Sequence, residues 1–251
     1  MNGEIAVMGN IKNDLLNLFK CWENAHKDEE GESLNKTCPD LSNIDGLDPE
    51  KFKASFVADG CVNYEEYGNS EKRVLFIMKE AAILDKGRNE PRTEDIEDQM
   101  DKHWFSRVMG NGGESERYYK KFSKILEALG IGCESAAMMN INKRGGLCSG
   151  TDDSKLAAYI GRYKEDYIKK QIDILKPTLI VSFIGRYSAA EALYDESNIC
   201  TIEYGNSNEK KAYCYTAEFN GIPVFGMWHP AYVCSYKDYE TVFSKLYDSI
   251  K

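Results

Sequence analysis

The chain has 251 residues, 42 % hydrophobic and 12 % aromatic, and a formal charge of −9 from 41 acids and 32 bases. That length fits one large α/β domain or two small ones; one is expected, with residues 1–70 as a helical and loop extension and 71–251 as the core. The acidic balance argues against a simple basic nucleic-acid binder, and no apolar run approaches the length of a membrane span.

Taken in chain order, Leu15, Leu18, Phe19 and Trp22 recur at spacings of three and four, which predicts a helix over 11–26. Residues 27–50 hold eight acids and two bases and are expected to be a long loop or partly ordered, closed by a helix start at Asp48-Pro49. Asp59-Gly60 is a turn signal. Arg73 to Met78 is a continuous apolar run, as in strands buried on both faces. The polar stretch 85–114 is expected to be a functional loop. A helix follows over 116–129, with Gly130 as its stop.

The second strand is predicted over 136–142. After it comes a helix from Thr151-Asp152-Asp153 to about Leu175, ended by Lys176-Pro177. The third strand is expected over 178–184, with a short helix from Ser188. Residues 212–219 alternate, Asn220-Gly221 is a hairpin signal, and the returning strand is 222–227. A helix over 238–250 closes the chain. Strand and helix alternate, so the fold class is α/β, with a mostly parallel central sheet of about four strands, helices on both faces and a β-hairpin whose partner strand adds an antiparallel edge or arm.

Eight cysteines occur and none forms a C-x-x-C pair, so zinc or iron–sulfur binding is not expected, and no cofactor is expected. The expected setting is the cytoplasm, with reduced thiols and no secretory leader.

Each core strand runs directly into polar residues: Lys79-Glu80 after the first, Asn140, Asn142, Lys143 and Arg144 in the second, Gly185-Arg186 after the third, and Trp228-His229-Pro230 after the last. Ligands of open α/β sheets bind beyond the carboxyl ends of the strands. Glu80 is therefore a candidate for orienting a water or stabilising a developing cation, and His229 a hydrogen-bond donor or general acid aimed by Pro230. Asn140 and Asn142 share a face if the strand alternates. They can read a base edge, while Lys143, Arg144 and Arg186 can hold phosphate. Trp104, Phe105 and Trp228 can stack on a base. For each, the ordinary alternative is a solvated or core-packed strand end.

With these residues in view, the chain resembles the uracil-DNA glycosylase superfamily. Val74 to Ala82, VLFIMKEAA, looks like the first strand and water-orienting loop, and Met139 to Arg144, MNINKR, is similar to the second-strand N-x-x-K-x-R stretch. Lys176 to Gly185, KPTLIVSFIG, resembles the third strand, and Met227 to Ala231, MWHPA, the late His-Pro motif. The Phe56 to Gly60 lead-in, FVADG, is similar to a divergent branch. The resemblance covers about residues 70–250. It implies a three-layer α/β/α fold, DNA or a nucleotide as partner, and hydrolysis of the N-glycosidic bond of a damaged or unusual base. Glu80 and His229 would be catalytic, and Lys79, Asn140, Asn142 and Trp228 would line the base site. Lys79 and Ala82 depart from the commoner water loop, where a Gly and a Pro stand. A binding protein that does not cleave, or a nucleotide-acting enzyme, is the alternative.

Overall fold

The computed structural model describes residues 10–38, 49–82, 94–110, 117–146, 152–185, 187–204, 212–230 and 236–248. Four helices come first: α1 (Ile11–Lys27), α2 (Gly31–Thr37), α3 (Pro49–Lys53) and α4 (Tyr64–Asn69). Then follow β1 (Val74–Ala82), α5 (Ile96–Asp101), α6 (Trp104–Gly110), α7 (Arg117–Leu129), β2 (Ala136–Gly146), α8 (Asp153–Tyr163) and α9 (Lys169–Leu175). The chain ends with β3 (Leu179–Ser182), α10 (Ser188–Tyr194), β4 (Cys200–Tyr204), β5 (Ala212–Phe219), β6 (Ile222–Gly226) and α11 (Tyr236–Asp248).

The strands form one mixed sheet of order β2-β1-β3-β6-β5-β4. β2, β1, β3 and β6 are parallel, while β5 and β4 add antiparallel pairings. The α/β class and mostly parallel pairing agree with the sequence, but the sheet has six strands. Strand β4 was not foreseen, and the hairpin at Asn220-Gly221 is continuous with the sheet rather than an arm. Its two turn residues take positive φ, 51° and 80°, which Asn and Gly accept most readily.

Alternation along the strands sorts the core onto two faces. Val74, Phe76, Met138 and Val181 pack with α6, α7 and α11 through Phe105, Phe122, Ile125 and Phe243. Leu75, Ile77, Met139 and Ile180 pack with α1, α8, α9 and α10 through Phe19, Trp22, Tyr159 and Leu193. The N-terminal helix thus contributes to the same cluster as the sheet. Each fully buried Phe or Leu contributes about 1.5–3 kcal/mol relative to exposure.

The predicted 151–175 helix is present, and five residues, Lys164–Ile168, form a π-turn between α8 and α9. Two stretches expected to be loops contain helices. α2 lies within 27–50, held by hydrogen bonds from Ser33 and Thr37 to Glu29. α5 and α6 lie within 85–114, where Ile96, Met100, Phe105 and Val108 are buried. Asp48, the glycines at 112–113 and Arg186 lie outside the described residues. No helix among the described residues is long and apolar enough to cross a membrane.

Candidate functional site

From β1 the chain passes to β2 on one side and then to β3 on the other, so the switch point lies between β1 and β3. Reversal of direction with right-handed crossovers moves the connecting helices to the opposite face. It also leaves a crevice outside the carboxyl ends of the flanking strands. The backbone continues the pairing there: Phe183 N–H donates to Ile77 O and Met227 N–H to Ser182 O, both at 2.8 Å. These bonds fix where the chain leaves β3 and enters the Trp228-His229 segment.

Glu80 pairs in register with Asn142, and Met78 with Asn140. Partners in parallel strands share a face, so Glu80, Asn140 and Asn142 lie on the α7 side of the sheet. Lys79 is half-buried and alternates to the other face, away from the carboxylate beside it in sequence. Trp228 and His229 are half-buried and pack toward the α7 cluster. Tyr118 meets His229 edge-on at 6.2 Å between ring centres and 87°, and Trp104 meets Tyr118 at 5.1 Å and 87°. An aromatic wall from α6 and α7 thus borders the imidazole. Phe105 is fully buried against Phe76 and Phe122 and belongs to the core.

The three histidines separate by environment. His26 is fully buried: its Nδ1 faces Ser55 O at 3.2 Å and its Nε2 faces Tyr159 Oη at 2.7 Å. A carbonyl only accepts, so Nδ1 carries the proton and Tyr159 donates to Nε2. Burial, then the Arg144 charge, hold the His26 pKa well below the ordinary value. His103 is buried too: Nε2 donates to Cys61 O at 3.0 Å, and burial lowers its pKa. His229 alone keeps partial exposure to solvent.

Lys143 and Arg144, expected to hold phosphate, are fully buried. Lys143 Nζ lies 2.5 Å from Asp59 Oδ2, over the rings of Phe19 at 5.1 Å and Trp22 at 5.5 Å. Burial lowers its pKa, and Asp59 opposes that shift. Arg144 pairs with Glu29 Oε2 at 2.5 Å and donates to Thr37 Oγ1 and to Lys53 O. Burial pushes the Glu29 carboxyl up, but Ser33, Tyr163 and Arg144 outweigh it and its pKa is lowered. Neither cation is open to a phosphate in this arrangement, because each is spent on an internal acid.

Asp59 is the centre of one network. Its Oδ2 accepts from the Asn140 N–H at 2.5 Å, and its Oδ1 from Gln171 Nε2 at 2.8 Å. The segment around Asp59 is no turn. It runs antiparallel beside β2, with Val57 N–H donating to Lys143 O and Met138 N–H to Gly60 O. It therefore covers the free edge of β2, and the Asp59 carboxylate takes the one strand N–H that its backbone skips. Asn142 is spent locally, its Oδ1 accepting from Arg144 N–H at 3.0 Å. The sequence reading missed Tyr118, Asp59, Glu29 and Gln171. An acid inside the apolar run FVADGCV was the available signal for Asp59.

A cleft of about 710 Å³ opens between α1 and α9 near the amino ends of β1 and β3. Asp14, Arg73, Asp166, Lys170 and Lys176 stand around apolar Leu18 and Ile174. Among the described residues no group of three or more His, Cys, Asp or Glu is placed to hold a metal ion. Compared with known proteins, the chain matches no family model and no curated sequence.

Proposed function

We propose that the chain is a divergent uracil-DNA glycosylase-like protein of three-layer α/β/α arrangement, acting in the cytoplasm on a damaged or unusual base in DNA. The observation that carries this reading is the pairing of strand ends at the switch point. Glu80 stands near the carboxyl end of β1, and His229 follows β6, across the intervening β3, with Trp104, Tyr118 and Trp228 as an aromatic border whose rings meet edge-on.

In this reading the base enters the crevice after leaving the stack. Glu80 orients a water at the sugar C1′ and takes its proton as the C–O bond forms. The N-glycosidic bond breaks, its electron pair leaves with the base, and the His229 imidazole donates to the base carbonyl where negative charge gathers.

Purified protein is incubated with single- and double-stranded oligonucleotides carrying uracil, hypoxanthine or xanthine, and alkaline cleavage reveals abasic sites. Release that is lost in Glu80→Gln and His229→Ala supports the proposal; no release from any substrate overturns hydrolysis of these bases. The second reading is a nucleotide or nucleic-acid binder that does not cleave, or a nucleotide-acting enzyme. It is favoured by the burial of Lys143 and Arg144, which removes two cations from phosphate binding. Tight binding of a free mononucleotide without base release selects it.

A further inference from the structure

Tyr187 is the large hydrophobic side chain that stands out from the surface among the described residues, 62 % exposed. It lies just past the carboxyl end of β3, the strand between β1 with Glu80 and β6 with His229, where α10 begins.

The ring is not loose. A Cβ on Gly185 would sit 3.0 Å from Tyr187 Cδ2 and Cε2, so the ring rests against the glycine backbone, where a side chain would displace it. Tyr187 N–H donates to Gly185 O at 2.9 Å. The preceding carbonyl is also anchored: Tyr215 Oη donates to Ile184 O at 2.9 Å and lies 3.0 Å from Ser182 Oγ. A tyrosine hydroxyl has one proton, so Ser182 donates in return. Tyr215 is buried, and it reaches Ser182 by crossing Gly226, its register partner, where any Cβ would fall inside the ring. A buried tyrosine thus holds the backbone on which an exposed one is seated.

We propose that Tyr187 is a stacking platform for an unpaired base next to the base taken into the crevice. This rests on the crevice taking a base. An exposed ring held rigidly loses little conformational freedom on contact, and aromatic faces stack on any base without needing a cation. That matters in an acidic protein in which the strand-end cations Lys143 and Arg144 are buried.

The test uses the full chain and single-stranded oligonucleotides carrying 2-aminopurine at successive positions, read by fluorescence quenching and anisotropy. Wild type and Tyr187→Phe are expected to quench one position and bind alike. Tyr187→Ala is expected to lose the quench and to bind about tenfold more weakly. Gly185→Ala, which keeps the ring but shifts it, is expected to fall between them. Tyr187→Ala binding and quenching as wild type does overturns the platform. Binding of a free deoxynucleoside monophosphate, and its dependence on Glu80→Gln and His229→Ala, is measured beside it. If that binding holds while Tyr187→Ala is silent, the platform falls and the crevice reading stands. If wild type binds neither probe, both fall.

Discussion

Two polar clusters end the strands of this sheet, and they are built in opposite ways. At β2 the cations Lys143 and Arg144 are fully buried and paired with Asp59 and Glu29, which come from segments more than 80 residues earlier. Toward the carboxyl ends of β1 and β6, Glu80, Trp228 and His229 are half-buried. The first cluster ties the N-terminal segment over an exposed sheet edge. The second keeps residues that are partly exposed to solvent.

The contrast is broken most strongly by removing one buried acid. Asp59→Ala leaves Lys143 charged and unpartnered and is expected to cost about 3–5 kcal/mol in urea unfolding. Replacing both partners by apolar residues of similar size should recover much of the loss. A cost below about 1 kcal/mol for Asp59→Ala would remove the structural role of the pair.

Gly226→Ala comes next. It drives a methyl into the Tyr215 ring, an overpacking expected to cost about 1–3 kcal/mol. The same change in a Tyr215→Leu background should cost less. Equal costs would mean that the ring does not occupy that space.

Acid sharpens the comparison further. The folded pKa of His26 is depressed by burial and by Arg144, so below the ordinary histidine value the unfolded chain binds a proton that the folded chain refuses. Stability is therefore complete above about pH 6.5 and declines as pH falls toward the folded value. His103 acts in the same direction, and the lowered Glu29 pKa adds a further loss at more acidic pH. Unfolding midpoints taken from pH 7.5 to 5 should fall, and His26→Gln should flatten the slope. A midpoint that does not move over this range would argue against neutral buried imidazoles.

The smallest stability effects are expected at the crevice. Glu80→Gln and His229→Ala should each stay within about 1 kcal/mol of wild type, as substitutions at partly exposed positions usually do. Base release should nevertheless disappear in both. A larger stability loss would move these residues into the structural cluster and weaken the division drawn between the two.

The sequence by itself determined the alternating strand and helix order and the parallel core strands. It also determined the hairpin at Asn220-Gly221 and the polar residues that end each strand, because periodicity and turn chemistry are local. Tyr159 and Tyr163 were legible as core, yet their hydroxyls serve His26 and Glu29, which no local pattern announces. Tertiary structure alone decided that α2 and α5 are helices, since Arg144 reaches Thr37 of α2 and Gln99 of α5 reaches the carbonyl of distant Phe56. It also decided that β4 joins the sheet and that Tyr187 stands out while Tyr215 beneath it is sealed. Above all it decided which charges face each other. Asp59 and Lys143 are far apart in sequence, and only the fold, by excluding water around both, makes each the other's partner.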